Sequence, residues 1–389
     1  SGGRVNLQSY TLTVGGNDQT TTCEGLIQGT GGLKKTGTGT WTLNRSDTAN
    51  NSYTGTTEIA AGTLAIAHNA PNPSSKNFTG TGKLVIEPVA ASFTGAFSTS
   101  GWAFANTLTG LTLGKAGNTG DITLGSATII AGPITVYGGN INLNANLNTS
   151  NGGANGDVLL KASGGITQAA GVGMTTSGGD FTYWADSDAN NDGRIQLNAG
   201  ASIATANGNV VLGGGSDIAT GYATYKAIGS GDSSSGADLA SETGAGIDLR
   251  NASITAGTGS VTLRGQSVGT ADNFSHGISI RGDNGSSSVT GGTITLEGKS
   301  DNAGNSTNGG SSNRGISLIE SGTGSVAITG TGNVSLTGTG SAATGGAGYN
   351  NRGIVLYGAS VGSTGGNVSL TGTGRSSGGL NMGISIQNG

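Results

Sequence analysis

The stretch GSVTLRGQSVGTADNFSHGISIRGDNGSSSVTGGTITL, residues 259–296, decides the fold. Apolar residues alternate with Thr or Ser at Val261 and Leu263, at Ile278 and Ile280, and at Ile294 and Leu296. Such alternation sends one set of side chains to a buried face and the other to water. The opening phrase is Gly, then Asp, Asn, Ser or Thr, then apolar-polar-apolar. It recurs upstream as GDITL from Gly120, GNINL from Gly139, GDVLL from Gly156, GDFTY from Gly179 and GNVVL from Gly208. Downstream it recurs as GTITL from Gly292 and as GNVSL from Gly332 and Gly366.

From Gly120 to Gly208 the successive spacings are 19, 17, 23 and 29 residues, too short for a βαβ unit and without helical periodicity. They suit single coils of a β-solenoid, where a coil buries its apolar face only when the next coil stacks on it. In-register parallel stacking repeats like side chains about 4.8 Å apart, so a narrow column of Val, Ile, Leu and Ala fills the interior with few aromatics. The expected fold class is therefore all-β: a right-handed parallel β-helix, elongated and continuous over 1–389. Coils of about 20–25 residues would number roughly fifteen to twenty and span on the order of 70–100 Å. Three sub-regions are expected: 1–88, 89–212 with short coils, and 213–389 with one-sided inserts.

The inserts follow from a second phrase: GIDL from Gly246, GISI from Gly277, GISL from Gly315, GIVL from Gly353 and GISI from Gly383. Between the two phrases lie polar segments at 213–245, 264–276, 297–314, 337–352 and 371–382, always at one point of the repeat. Inserts at one repeat position emerge along one side, so a ridge rich in Ser, Asn and Gly is the candidate contact surface.

Composition narrows the function classes. Glycine supplies 79 of 389 residues, charged residues 10% and aromatics 4%, unlike an average globular enzyme. Net charge is only −4, and Thr, Val and Ile recur at strand spacing, which argues for ordered β structure over disorder. Without a basic stripe, nucleic-acid binding is not expected. No apolar run of about 18 residues exists for a membrane helix, and aromatics are too few for the girdles of a membrane barrel. Cys23 is the single cysteine, so no intrachain disulfide forms. No leader segment precedes Ser1, and the strand-like GISIQNG ends at Gly389, so both ends read as cuts within something longer.

Residues 29–66, GTGGLKKTGTGTWTLNRSDTANNSYTGTTEIAAGTLAI, resemble the passenger-associated repeat of autotransporters and related adhesins. The resemblance rests on GGLKKTGTGTWTL from Gly31, YTG from Tyr53 and AGTLAI from Ala61. Strands are expected at Trp41 to Leu43, Thr56 to Ile59 and Thr63 to Ile66, linked by Gly and Asn turns. LTGLTLGKAGNTGDITLG from Leu108 and GPITVYGGNINLNA from Gly132 look like repeats of filamentous-haemagglutinin-type proteins. Together these resemblances imply a Gram-negative outer surface location, a β-helical fold and an adhesive or structural role.

Chemistry-bearing residues are sparse. His68 and His276 read as surface side chains, and no Ser-His-Asp or Cys-His signature is present. Asp121, Asp157 and Asp180 would repel one another if stacked, so with Asn140 and Asn209 they read as turn chemistry and not as an active site. The sharpest motif is DSDANNDG from Asp186 to Gly193. Its alternate oxygen ligands Asp186, Asp188, Asn190 and Asp192 match the front half of a calcium loop, although Asn191 stands where glycine and Leu197 where a bidentate Glu belong. A structural Ca2+ is the one cofactor this allows. Phe93, Phe97, Trp102 and Phe104 read as a local core plug. Tyr222, Tyr225, Phe274 and Tyr349 fall in the inserts and are the candidate contact-ridge residues.

The expected function is non-enzymatic: a rigid stalk and adhesive surface within a large exported bacterial protein, contacting host or neighbouring cells, glycans or abiotic surfaces. Two alternatives stand beside it. One is a self-assembling filament or sheath subunit with end-to-end association; the other is a polysaccharide-acting enzyme on the same scaffold.

Overall fold

The structure, a computed structural model, describes residues 3–45, 51–70, 77–227, 244–269, 275–302, 313–341, 351–375 and 381–388. Two compact units divide the chain: Ser1–Lys161 with Met174–Asp180, and Ala162–Gly173 with Phe181–Gly389. Both contain the expected all-β parallel solenoid. Among the described residues the only antiparallel contact recorded is an isolated bridge between Gly193 and Thr224, and the helical content is one 3-10 turn, Ser150–Asn155.

In the first unit the strands stack rung by rung. Trp41, Leu64, Leu84, Leu111 and Ile134 are successive register partners, as are Leu43, Ile66, Ile86, Leu113 and Val136. All are buried. Burying one such side chain contributes about 1.5–3 kcal/mol, and the flanking polar residues face water, so the pattern selects this register over a one-residue slip. The strands of the passenger-type segment are Thr40–Arg45, Thr57–Ile59 and Thr63–His68, close to expectation. The aromatic plug is also present. Phe97 lies 5.4 Å from both Phe93 and Trp102, and Phe78 joins at 5.5 Å from Trp102. It marks the level at which one stack ends, with Ala103–Phe104 on Asn77–Phe78, and another begins, with Phe97–Ser98 under Ile122–Leu124.

The phrases from Gly120 and Gly139 occupy one face, where Ile122 pairs with Ile141. The phrase from Gly156 occupies another: Ile134 donates its N–H to Asp157 O at 2.9 Å. The 17-residue spacing is therefore not a coil, because similar phrases serve different faces. Nor do three aspartates stack. Asp121 Oδ1 accepts the Asn140 N–H at 2.7 Å, and Asp157 Oδ1 accepts the Asp180 N–H at 2.8 Å. In the second unit Asn209 accepts from Ser260 N–H and Asn333 from Asn367 N–H, each at 2.9 Å. The Asp or Asn of the phrase thus bonds to the equivalent position one coil on, satisfying an N–H at the strand entrance. These bonds span 19, 23, 51 and 34 residues, so later coils far exceed the expected length.

Three aliphatic columns run through the second unit, buried as far as Val334, Ile354 and Ile328 and opening to solvent at the last coil, where Val368 is exposed. Val210, Val261, Ile294, Val334 and Val368 form the first, and Ile247, Ile278, Ile316, Ile354 and Ile384 the second. Ile254, Val289, Ile328 and Val361 form the third. The third belongs to short Ser- and Thr-rich strands such as Ser253–Thr255 and Ser286–Gly291, which the two sequence phrases do not include.

The extra length of the coils goes into a lateral extension. Val261–Gly269 and Ile294–Asn302 run past the aliphatic core and stay paired over nine positions. The inserts expected as loops are, in their described parts, continued ladder. Two rows of glycine make the passage between core and extension. A Cβ on Gly265, Gly298, Gly338 or Gly372 would lie 2.0–2.2 Å from the carbonyl oxygen of Gly277, Gly315, Gly353 or Gly383. Two backbones meet there without side chains between them, which only glycine permits.

Candidate functional site

Beyond this glycine waist the interior turns from aliphatic to polar. Ser267 and Ser300 are fully buried, with Ser267 Oγ donating to Ser300 Oγ at 3.1 Å and Ser300 Oγ to Ser275 O at 3.2 Å. Facing them runs an amide ladder: Asn313 Oδ1 accepts Ser275 N–H at 2.9 Å, Asn351 Oδ1 accepts Asn313 N–H at 3.2 Å, and Asn381 Oδ1 accepts Asn351 N–H at 3.2 Å. Each coil is hydrogen-bonded to the next by a side chain as well as by backbone, and this holds the extension in register with little apolar burial. His276, at the next repeat position, is not on the surface. It is fully buried, and its Nδ1 accepts the Arg314 N–H at 3.2 Å.

The extension carries two of the candidate contact residues. Ala223–Ala227 pairs with the outer half of Val261–Gly269, so Tyr225 stands in a strand and Tyr222 just before one, where loops had been expected. Tyr222 donates its hydroxyl hydrogen to Glu297 Oε2 at 3.2 Å, and its ring lies 4.0 Å from the Lys299 ammonium. Arg264 Nε reaches the same Glu297 oxygen at 3.2 Å. Arg194 lies 5.7 Å from the Tyr225 ring centroid. Both rings are half-buried, and each has a cation over one face. Phe274 and Tyr349 lie outside the described residues.

The DSDANNDG segment folds around its own first carboxylate. Asp186 is 1% exposed and has a left-handed φ of 49°. Its Oδ1 accepts the N–H of Asn191 at 3.1 Å and of Asp192 at 3.3 Å. Burial pushes its carboxyl above the usual value, against hydrogen bonds from the Thr224 hydroxyl and from the Asp192 and Asn191 N–H groups that pull it down. Asp188, exposed, accepts from Asn190 Nδ2 at 3.0 Å. The oxygens at Asp186 and Asp188 are thus turned to different partners within an Asx-type turn. Among the described residues no group of three or more His, Cys, Asp or Glu side chains stands where it could hold a metal ion.

In the passenger-type segment, the two lysines of GGLKKTG divide. Lys34 pairs with Glu58 at 2.8 Å on the surface. Lys35 is fully enclosed and donates to the carbonyls of Gly37 at 2.9 Å and Ala61 at 3.4 Å, and burial lowers its pKa against the pull of Asp18. Tyr53 of YTG is buried with its hydroxyl 2.8 Å from Thr57 Oγ1, and burial pushes it up to about 12. His68 is buried as well, its Nδ1 accepting the Ala70 N–H at 3.0 Å. Of the motif residues, Lys35 and Tyr53 lock the coil from within, while Lys34 stays at the surface.

Residues 33–66 match the family model described as passenger-associated-transport-repeat. That segment is therefore similar to the repeat carried by autotransporter passengers, and the matched family is not an enzyme family. No curated protein and no solved structure matches the chain.

Proposed function

We propose that this chain is a non-enzymatic segment of a large surface protein on the outside of a Gram-negative cell, where it serves as a stiff stalk and an adhesive surface. The observation that carries this reading is the glycine waist of the second unit. Coils of the first unit bury their aliphatic columns with short strands such as Ile122–Leu124, so the long lateral strands are not needed to close a core. They build a platform, and the inserts at 264–276, 297–314, 337–352 and 371–382 all begin on it. Adhesive contacts sit at its outer end, with host or neighbouring cells, glycans or abiotic surfaces as partners.

The polar lining supports the same reading. Ser267, Ser300, Asn313 and Asn351 join coils to one another, where a catalytic cleft would converge titratable groups. The test replaces residues 303–312 and 342–350 with short Gly-Ser links and measures binding to a glycan array and to abiotic beads. Loss of binding with an unchanged circular dichroism spectrum and melting temperature is expected. Undiminished binding by the shortened chain would remove the platform from the adhesive role.

A further inference from the structure

The platform has a first strand, and the DSDANNDG turn lies against the edge of that strand. The coil through Phe181–Ala185 passes from its turn at residues 186–193 straight into Ile195–Leu197, whereas the next coil inserts Ala223–Ala227 after Val210–Gly214. Ala223–Ala227 pairs along one side with residues 265–269. Its other side meets the turn: Thr224 donates its N–H to Gly193 O and accepts the Gly193 N–H on its own O, both at 2.8 Å. Among the described residues this antiparallel bridge is the one pairing on that edge. Backbone groups alternate between the two edges of a strand, so those of Lys226 point the same way as those of Thr224, and the Lys226 side chain is exposed.

The turn is held in a shape it would not keep by itself. Asp186, Ala189 and Asn191 have left-handed φ of 49°, 56° and 68°. Asp and Asn tolerate that region, but for alanine it is sterically costly. Such conformations persist where their surroundings fix them. Here the fixing group is the Asp186 carboxylate, which accepts the N–H groups of Asn191 and Asp192 and a hydrogen bond from the Thr224 hydroxyl. Thr224 is fully buried, and its Oγ1 accepts Gln266 Nε2 at 3.0 Å. One residue thus ties the turn to the first platform strand, and that strand to the second. The rim of the turn, residues 188–192, is exposed and carries the carboxylates of Asp188 and Asp192.

The edge of an extended ladder offers its N–H and C=O groups to any other strand. We infer that the 186–193 turn is an edge guard, which keeps the first platform strand from pairing with the same strand of a second copy. The excluded pair would be antiparallel about a two-fold axis at Tyr225, with Thr224 of each copy opposite Lys226 of the other. Those are the residues whose backbone faces outward, and a self-complementary contact of this kind closes as a dimer. The turn stands where the second strand would lie, and its bridge takes up the backbone groups of Thr224. This guard is independent of whatever the platform's outer end contacts, and it gives the turn a use that needs no bound ion.

The test combines sedimentation velocity over a range of concentrations with hydrogen exchange at the Thr224 amide, on the intact chain and three variants. Asp186→Ala removes the acceptor at the hub of the turn, and Gly193→Ala sets a Cβ against the backbone of Asp186 and Gly164, pushing the turn off from its other end. Asp186→Asn keeps one acceptor oxygen. The parent and Asp186→Asn should stay monomeric with a protected Thr224 amide, while the other two should lose that protection about tenfold or more and dimerise reversibly. Monomers with an exposed Thr224 amide would overturn the guard. A Thr224 amide still protected in both alanine variants would overturn the turn's hold on the strand, and dimerisation equally strong in Asp186→Asn would overturn the role of the Asp186 oxygen. Should the alanine variants fail to fold, Tyr225→Cys on a Cys23→Ser background decides: ready formation of an intermolecular disulfide with the turn intact would overturn the guard, and its absence is expected.

Discussion

Replacing Gly298 by alanine tests the waist where its geometry is tightest. The added Cβ would lie 2.1 Å from Gly315 O and 2.7 Å from both Gly315 C and Ile316 Cγ1, whereas ordinary van der Waals contact begins at 3.4 Å. The two strands would have to part by roughly 1.3 Å at this rung. Each is hydrogen-bonded to coils above and below, Ile294–Asn302 over nine positions on one side and six on the other, so the displacement cannot stay local. Overpacking of this kind costs about 1–3 kcal/mol where a side chain can yield; here backbone meets backbone, and about 3 kcal/mol or more is expected. Gly362→Ala is the control, because nothing lies within 4 Å of a Cβ there; its expected change is between zero and a stabilisation of about 1 kcal/mol.

The assay is denaturant unfolding combined with native-state hydrogen exchange, since a repeat array need not unfold in one step. Gly298→Ala should lose protection in Ile294–Asn302 and Ile316–Ser321 first, with the first unit unchanged. Equal stability and equal exchange in the two variants would refute the close backbone approach.

Three further outcomes follow from the same geometry. Asn351→Ala leaves the buried Asn313 N–H without its acceptor and should cost about 1–3 kcal/mol in thermal or denaturant unfolding, with a neutral result counting against the amide ladder. Asp186 has a folded-state pKa raised above its unfolded value of 3.8, so its ionisation costs stability above the folded pKa, and that cost fades as pH falls towards 3.8. Asp186→Asn should therefore be at least as stable as the parent at neutral pH, and the difference should shrink on acidification; a difference constant from pH 7 to 4 would exclude a buried, penalised carboxyl. Tyr53 ionises only at about 12 against an ordinary 10.0, and Tyr183 is also pushed well up by burial, so both resist ionisation while the unfolded chain ionises and stability falls as pH rises past 10. Absorbance titration should find two of the eight tyrosines lagging, and a single step near pH 10 before unfolding would contradict their burial.

Strict alternation at Val261–Leu263 and Ile278–Ile280 made two faces of the later coils readable, because each strand buries at least two aliphatics at period two. The third face was hidden. Ser286–Gly291 buries Val289 as its single large aliphatic, and its Ser and Thr partners look like any polar loop. Phrase spacing also misled where one phrase serves two faces, as from Gly139 to Gly156, since local pattern does not say which sheet a strand joins.

The glycines at 265, 298, 338 and 372 resemble turn composition until the opposing glycines at 277, 315, 353 and 383 are seen across from them, a relation between distant residues. The repeat position of His276 holds Arg314, Arg352 and Met382 in other coils, which points to the surface, yet the extension buries polar groups by pairing them across coils.

The most direct test of parallel stacking is a set of disulfide cross-links on a Cys23→Ser background. Thr262 with Thr295, Thr295 with Ser335, and Ser335 with Ser369 are register partners on adjacent coils of the second unit. Adjacent strands about 4.8 Å apart bring outward-facing cysteines within disulfide reach, whereas an offset of two residues does not. Paired cysteines at each of these three positions should oxidise readily to one intrachain bridge, and Thr262 with Ser335, two coils apart, should not. Failure of the three adjacent pairs, or equally ready bridging of the distant one, would contradict the solenoid.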